Sequence, residues 1–187
     1  MQYLAPYIGW NQGMMQNKHL QTLADKSRAV MDSAVAKYKT EAFFALFSGG
    51  HDSLTVTHIA SKHPLFRGVI HIDTGTGLPE TRAFVEETCK REGWPLIIKK
   101  PATTYEMLII RYGFPGPSAH QHMYKYLKER PLGEAKKEAH KLAKTKKFAF
   151  VGGMRSQESV RRMGHVEPLH KDGMGIWVSA IHDWTAL

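Results

Sequence analysis

Cysteine is almost missing. The 187-residue chain holds one, Cys89. That excludes an intrachain disulfide framework and any four-cysteine metal or iron–sulfur site within one chain. Long apolar runs are missing too: no stretch approaches the roughly 18–20 apolar residues of a membrane-crossing helix, so no membrane partner is expected. The N-terminus lacks the basic, then apolar, then small pattern of a signal peptide, and the expected location is cytoplasmic. Negative charge is scarce, with 17 Asp+Glu against 26 Lys+Arg and a formal net charge of +9. That sign implies an anionic partner: phosphate, nucleotide or nucleic acid. What remains is ordinary, with 42% hydrophobic and 23% charged residues, which excludes a disordered or collagen-like chain. Without repeats, linkers or low-complexity tracts, residues 1–187 read as a single domain.

Short apolar runs alternate with helical patterns. Residues 1–17 look irregular, and from Lys18 to about Tyr38 apolar positions recur at helical spacing, so residues 1–40 read as an irregular segment and a helix packed on the rest. Ala42–Phe47 is a run suited to a strand buried on both faces, ended by Ser48-Gly49-Gly50. A helix from about Ser53 to Lys62 follows, then a strand over Gly68–Asp73. Pro79 opens a helix that stops at Gly93, and Pro95–Lys99 is a third strand. Thr103 or Thr104 caps a helix through Arg111. Residues 119–130 and 133–146 look helical, split by Pro131, and the second is rich in lysine from Lys136 to Lys147. Phe148–Val151 is a fourth strand. A short helix is expected over 156–163, and a hairpin from Val166–Leu169 and Gly175–Ala180. The alternation predicts an α/β fold with a mostly parallel central sheet flanked by helices. Such sheets bind ligands at the carboxyl ends of their strands.

Three post-strand segments therefore carry the candidate site. In Ser48-Gly49-Gly50-His51-Asp52-Ser53 two glycines admit a tight turn, and the free N–H groups of the next helix make an anion site. Ser48 and Ser53 add hydroxyls, and His51 either donates to phosphate or faces solvent. Asp52 either caps the helix or faces a metal such as Mg²⁺ held through phosphate. The segment is not a Walker A loop, since it lacks the Gly-Lys-Ser/Thr ending. In His71-Ile72-Asp73-Thr74-Gly75, Asp73 ends a strand and can accept from a ribose or amine, or hold a metal. Glu80 can do the same or only favour its helix N-terminus. In Gly152-Gly153-Met154-Arg155 the arginine projects over the sheet edge and suits bidentate phosphate or sulfate recognition. Glu158 with Arg161 and Arg162 reads either as part of this site or as a solvated helix pair.

Together these loops resemble one family. Ser48–Ser53 looks like the SGGxDS loop of the N-type ATP pyrophosphatases, the PP-loop superfamily. His71–Gly75 with Pro79-Glu80-Thr81 is similar to the HIDTG…PET segment of the phosphoadenosine phosphosulfate (PAPS) reductase branch. Gly153-Met154-Arg155 with Glu158-Ser159 and Arg161 is similar to its GxRxxES-x-R segment. Lys128-Glu129-Arg130-Pro131-Leu132 sits where that branch has a K-V-x-P-L-like segment, and the resemblance runs from about Phe43 to Trp184. It implies a Rossmann-like adenine nucleotide α-hydrolase fold with ATP or PAPS across the carboxyl edge. Ser48, Gly49, Gly50, His51, Asp52 and Ser53 would cradle phosphates, and Asp73, Thr74 and Gly75 would lie near the nucleoside. Gly153, Arg155 and Arg161 would meet the phosphate or sulfate end, with Asp52 and Arg155 as the catalytic pair.

The sequence also departs from the family. A reductase of this branch carries a nucleophilic cysteine in a C-terminal tail, whereas no cysteine follows Cys89 here and the chain stops near Trp184. Where adenosine phosphosulfate-type members carry paired cysteines, this chain reads His120-Gln121-His122, so no iron–sulfur cluster is expected. Three functions follow from the resemblance: adenylyl or sulfur transfer with cleavage of ATP between its α- and β-phosphates; PAPS reduction with a thiol from a partner protein; or a non-catalytic nucleotide or nucleic-acid binding module. The first would suit a polyanionic acceptor meeting the Lys136–Lys147 stretch, whose alternative is a solvated helix face. Cys89 reads as an ordinary core or surface residue, Trp177 and Trp184 read as core or hinge packing, and an oligomer is possible.

Overall fold

A computed structural model describes residues 18–116, 120–156 and 167–184. Six strands form one sheet: β1 (Ala42–Leu46), β2 (Phe66–Ile72), β3 (Leu96–Lys99), β4 (Phe148–Gly152), β5 (Leu169–Lys171) and β6 (Ile176–Ser179). Their order is β3-β2-β1-β4-β6-β5. All neighbours are parallel except β5 and β6, a hairpin whose second arm is where it was expected and whose first arm, Leu169–Lys171, begins at the last residue of the expected Val166–Leu169; it joins the sheet with β6 alongside β4. This is the expected mostly parallel α/β architecture.

The strands alternate because both faces are covered. On β1, Phe43 and Ala45 face one layer, with Met31 and Ala34 of α1 (Lys18–Tyr38) and Val56 and Ala60 of α2 (His51–Ser61). Ala42 and Phe44 face the other, with Ala135 and Ala139 of α6 (Arg130–Ala143). A two-residue side-chain period between two helical layers requires apolar residues at every β1 position, which is why Ala-Phe-Phe-Ala-Leu reads as an unbroken run. The remaining helix on the first face, α3 (Pro79–Glu92), packs Val85 and Cys89 on Phe47 and Val69.

Helix boundaries are set by local chemistry. Gly93 ends α3 in the left-handed conformation, as expected. Thr104, rather than Thr103, caps α4 (Tyr105–Tyr112): its hydroxyl accepts from the Met107 N–H. Helix α2 begins at His51, two residues earlier than the pattern suggests, because Gly50 takes the extended conformation of the preceding residue. The expected break at Pro131 is absent. α5 (His120–Tyr124) runs through a π-helical turn, Lys125–Glu129, straight into α6. The Arg130 N–H reaches the Lys125 carbonyl five residues back, and Pro131 falls in the first turn after it. A proline's missing N–H costs little there. Of the helix expected over 156–163, all but Ser156 lies outside the described residues, as does Val166 of the hairpin. Among the described residues no helix is long and apolar enough to cross a membrane.

Candidate functional site

The chain winds outward from β1 through β2 to β3, then returns to the other side of β1 with β4. Strand order therefore reverses between β1 and β4, and ligands of such sheets bind at that reversal, outside the carboxyl ends. The segments leaving those two strands are Ser48–Ser53 and Gly153–Arg155, and they touch. A Cβ on Gly153 would lie 2.9 Å from the Asp52 carbonyl carbon and 3.0 Å from the Ser53 nitrogen. Only a glycine lets the two backbones approach so closely. An ion pair adds to the join: Arg155 Nη2 lies 3.1 Å from Asp52 Oδ2. Asp52 is thus a first-turn residue of α2 engaged by an arginine. It does not cap the helix, since the cap position is Gly50, which brings no side-chain bond.

The first loop is braced from inside. The Ser48 N–H donates to Ser53 Oγ at 3.2 Å, and Ser53 Oγ donates to the Gly50 carbonyl at 2.9 Å. The 3.0 Å contact between the two hydroxyls then requires Ser48 to be the donor. Ser53 is buried and its hydroxyl fully engaged in shaping the loop. Gly49, at φ +88°, turns the chain where a Cβ would sit 2.5 Å from Thr81 Cγ2. The Pro79-Glu80-Thr81 segment is therefore a wall of this loop. His51 is exposed at the start of α2. One further brace comes from His71. Buried in β2, it holds Nδ1 2.8 Å from the Phe47 carbonyl, just before Ser48. A carbonyl only accepts, so Nδ1 carries the proton.

Asp73, just past β2, sits in a nest of donors. The Gly75 N–H donates to its Oδ1 at 3.1 Å, and Lys100 Nζ and Arg82 Nη1 lie 3.3 and 3.5 Å from Oδ2. Burial pushes the carboxyl up, but the Gly75 and Lys100 hydrogen bonds and the two cationic charges outweigh it, leaving the pKa below the ordinary value. Thr74 bonds Thr76 at 2.8 Å, closing the turn in which Gly75 takes φ +72°. Glu80 is exposed in the first turn of α3. Glu158 and Arg161 lie outside the described residues.

Residues 42–187 match the profile of the phosphoadenosine phosphosulfate reductase domain. The chain belongs to that family. Solved structures place it in the same fold. One is a phosphoadenylyl-sulfate (PAPS) reductase from Candida auris in a phosphate complex: TM-score 0.57, 19% identity, covering 90% of this chain and 81% of that one. Another is a Candida glabrata FMN adenylyltransferase in complex with ATP: TM-score 0.54, 16% identity, covering 88% of this chain and 50% of that one. The chain thus spans about half the length of the adenylyltransferase. No curated protein sequence matches it.

For a member of the PAPS reductase family, Cys89 is poorly placed to act as a nucleophile. It is buried in α3 against Phe47 and Val85, and burial pushes its thiol up to about 11. The thiolate is the attacking form. His122 stacks on Tyr112 with ring centroids 5.1 Å apart. Trp177 packs against Phe150 and donates its indole N–H to Asp172 Oδ1 at 2.8 Å. Trp184 packs against the α1 layer. Among the described residues no three His, Cys, Asp or Glu side chains converge as a metal cage. An Mg²⁺ carried by nucleotide phosphates would be met by Asp52 and would neutralise phosphate charge there.

The sequence pattern missed one part of this edge. Beyond β3 lies a cavity of about 400 Å³ between α4 on one side and the π turn with α6 on the other. Lys100, the partner of Asp73, stands at its rim. A lysine directly after a parallel strand was the available signal. The lysine stretch leads the other way: α6 runs from this cavity to the amino edge, where Lys147, just beyond it, pairs with Glu41 at 3.1 Å.

Proposed function

We propose that the chain binds an adenosine nucleotide over the β1/β4 crevice and transfers its adenylyl group. With ATP, an acceptor atom attacks the α-phosphorus and gives up its proton. The bond from that phosphorus to the oxygen bridging the β-phosphorus breaks, and pyrophosphate leaves with the electron pair. The observation that carries this reading is the Gly153 contact with the Asp52–Ser53 backbone, locked by the Arg155–Asp52 pair. It supports an anion site in which the N-terminal N–H groups of α2 and the Arg155 guanidinium face one crevice. Donors fixed before the reaction cost no reorganisation as charge develops on the leaving group. Asp73 would accept from the nucleoside, its carboxylate kept charged by the Gly75 N–H and by Lys100 and Arg82. The structurally similar FMN adenylyltransferase, which has been solved with ATP, supports this reading.

The test is pyrophosphate release from ATP with Mg²⁺ across a panel of acceptors, beside calorimetric ATP binding. Arg155→Ala should weaken ATP binding about tenfold or more, the scale of a lost charge-assisted bond. Tight ATP binding with no release under any acceptor would remove the transfer step. Unchanged binding in Arg155→Ala would remove the site.

Family membership favours a second reading, PAPS reduction. The buried, protonated Cys89 requires the thiol to come from elsewhere, such as a partner protein. Sulfite formed from PAPS with an added protein thiol, and retained after Cys89→Ser, would support it.

A further inference from the structure

The cavity beyond β3 has two facing walls with a chemical pattern. On one wall Tyr126, Arg130 and Glu134 recur at every fourth residue and so share one stripe of the π turn and α6. On the other, Met107, Leu108 and Arg111 of α4 present an apolar surface ending in a second guanidinium. Lys100 stands at the rim and leans on Asp73.

The cations set the ligand's charge. Arg130 lies over the Tyr126 ring, 4.1 Å from its centroid, and Arg111 lies 5.3 Å from that of Tyr112. The two tyrosine hydroxyls meet at 3.2 Å, so the aromatic pair holds both guanidiniums against one concavity. Among the described residues neither arginine has a carboxylate partner. Three cations, Lys100, Arg111 and Arg130, line this space against one carboxylate, Glu134, so its charge is net positive, and an anion between the two guanidiniums relieves their repulsion. Tyr126 feels the same field. The Tyr112 hydrogen bond and then the charges of Arg130, Arg111 and Lys125 lower its pKa. The apolar floor sets the rest of the ligand, because Met107 is exposed in a helix whose buried side already packs Leu108 on Met123 and Leu127. The volume lies within the range of small-molecule pockets.

We propose that this cavity binds a small organic anion, a phosphate or sulfonate on an aromatic or apolar body, held by Arg111 and Arg130. Lys100 links it to Asp73, so on the adenylyl-transfer reading, on which this role rests, its occupant is the acceptor. The binding itself does not depend on that reading.

The probe is phenyl phosphate, titrated calorimetrically into the full chain at low salt, with inorganic phosphate and ATP titrated in parallel. Phenyl phosphate should bind at least tenfold more tightly than inorganic phosphate. Arg111→Ala and Arg130→Ala should each weaken it about fivefold or more, and Ala102→Trp, which fills the cavity, should abolish it. Thermal unfolding of each variant confirms that it is folded, and ATP affinity should stay within about twofold in both arginine variants. No phenyl phosphate binding at millimolar concentration overturns the proposal, as does equal binding of inorganic phosphate or unchanged affinity in both arginine variants. Phenyl phosphate binding without ATP binding supports the cavity and removes the transfer reading. ATP binding alone removes the cavity and leaves that reading standing.

Discussion

At the residue scale, the same residue types do different work in neighbouring places. Gly49 and Gly153 are required by close approach, whereas Gly77 has open space around it. The Gly-Gly pairs were legible in the sequence, but which glycine the packing requires was not, since that depends on Thr81 and the Asp52 backbone arriving from other segments. Ser53 shows the same limit: its motif position suggested a phosphate ligand, while its three hydrogen bonds are spent within the loop. Cys89 was legible only as an ordinary core or surface residue; packing of α3 on Phe47 and Val69 buries it, and that environment gives a pH signature. Burial pushes the folded thiol up to about 11, above the ordinary 9.0 of an exposed cysteine. Between those values the unfolded chain has lost a proton that the folded chain keeps, so stability falls as pH rises. Below the lower value the contribution is complete. Urea unfolding at pH 8 and pH 10.5 should show wild type losing about 1–2 kcal/mol more than Cys89→Ala. Equal losses would place the thiol in contact with water.

At the element scale, strands were easier to read than helix ends. Unbroken apolar runs such as Phe148-Ala149-Phe150-Val151 leave one interpretation once both sheet faces are covered. Pro131 misled because the sequence shows the missing N–H and not the π turn that absorbs it. Helix α4 is the element on which the cavity depends most. It is short, at eight residues, and its inner face rests on a small cluster of Leu108, Met123 and Leu127, apart from the main sheet layers. Helices of this length are marginal without tertiary support. Its Thr104 cap should therefore matter. Thr104→Ala is expected to cost about 1 kcal/mol locally. Hydrogen exchange of the α4 amides should quicken about fivefold while β1 and β4 amides hold. Equal acceleration across the sheet would mean that α4 opens only with the whole molecule.

At the scale of the whole molecule, a parallel sheet is polar, and that separates the chain's positive charge into two populations. Strands β1, β2, β3 and β4 end on one edge, where Arg155, Arg82 and Lys100 meet Asp52 and Asp73 and where Arg111 and Arg130 line the cavity. Helix α6 starts at that edge and ends at the other, just before β4 begins. Lys144, Lys146 and Lys147 therefore lie at the amino edge, about one strand length, roughly 15–20 Å, from any nucleotide over the β1/β4 crevice, against a Debye length of roughly 10 Å. The lysine stretch was legible as a charge run. Its distance from the site was not, because that follows from the direction of α6. Charge at the far edge should add little to nucleotide affinity. Replacing Lys144 and Lys146 together by Gln is expected to leave the calorimetric ATP affinity within about twofold at physiological ionic strength, whereas Lys100→Gln, which strips Asp73 of a partner, should weaken it by a larger factor. A loss in the double lysine variant as large as that in Lys100→Gln would mean that the nucleotide reaches the amino edge, and the placement of the site at the carboxyl ends would fall with it.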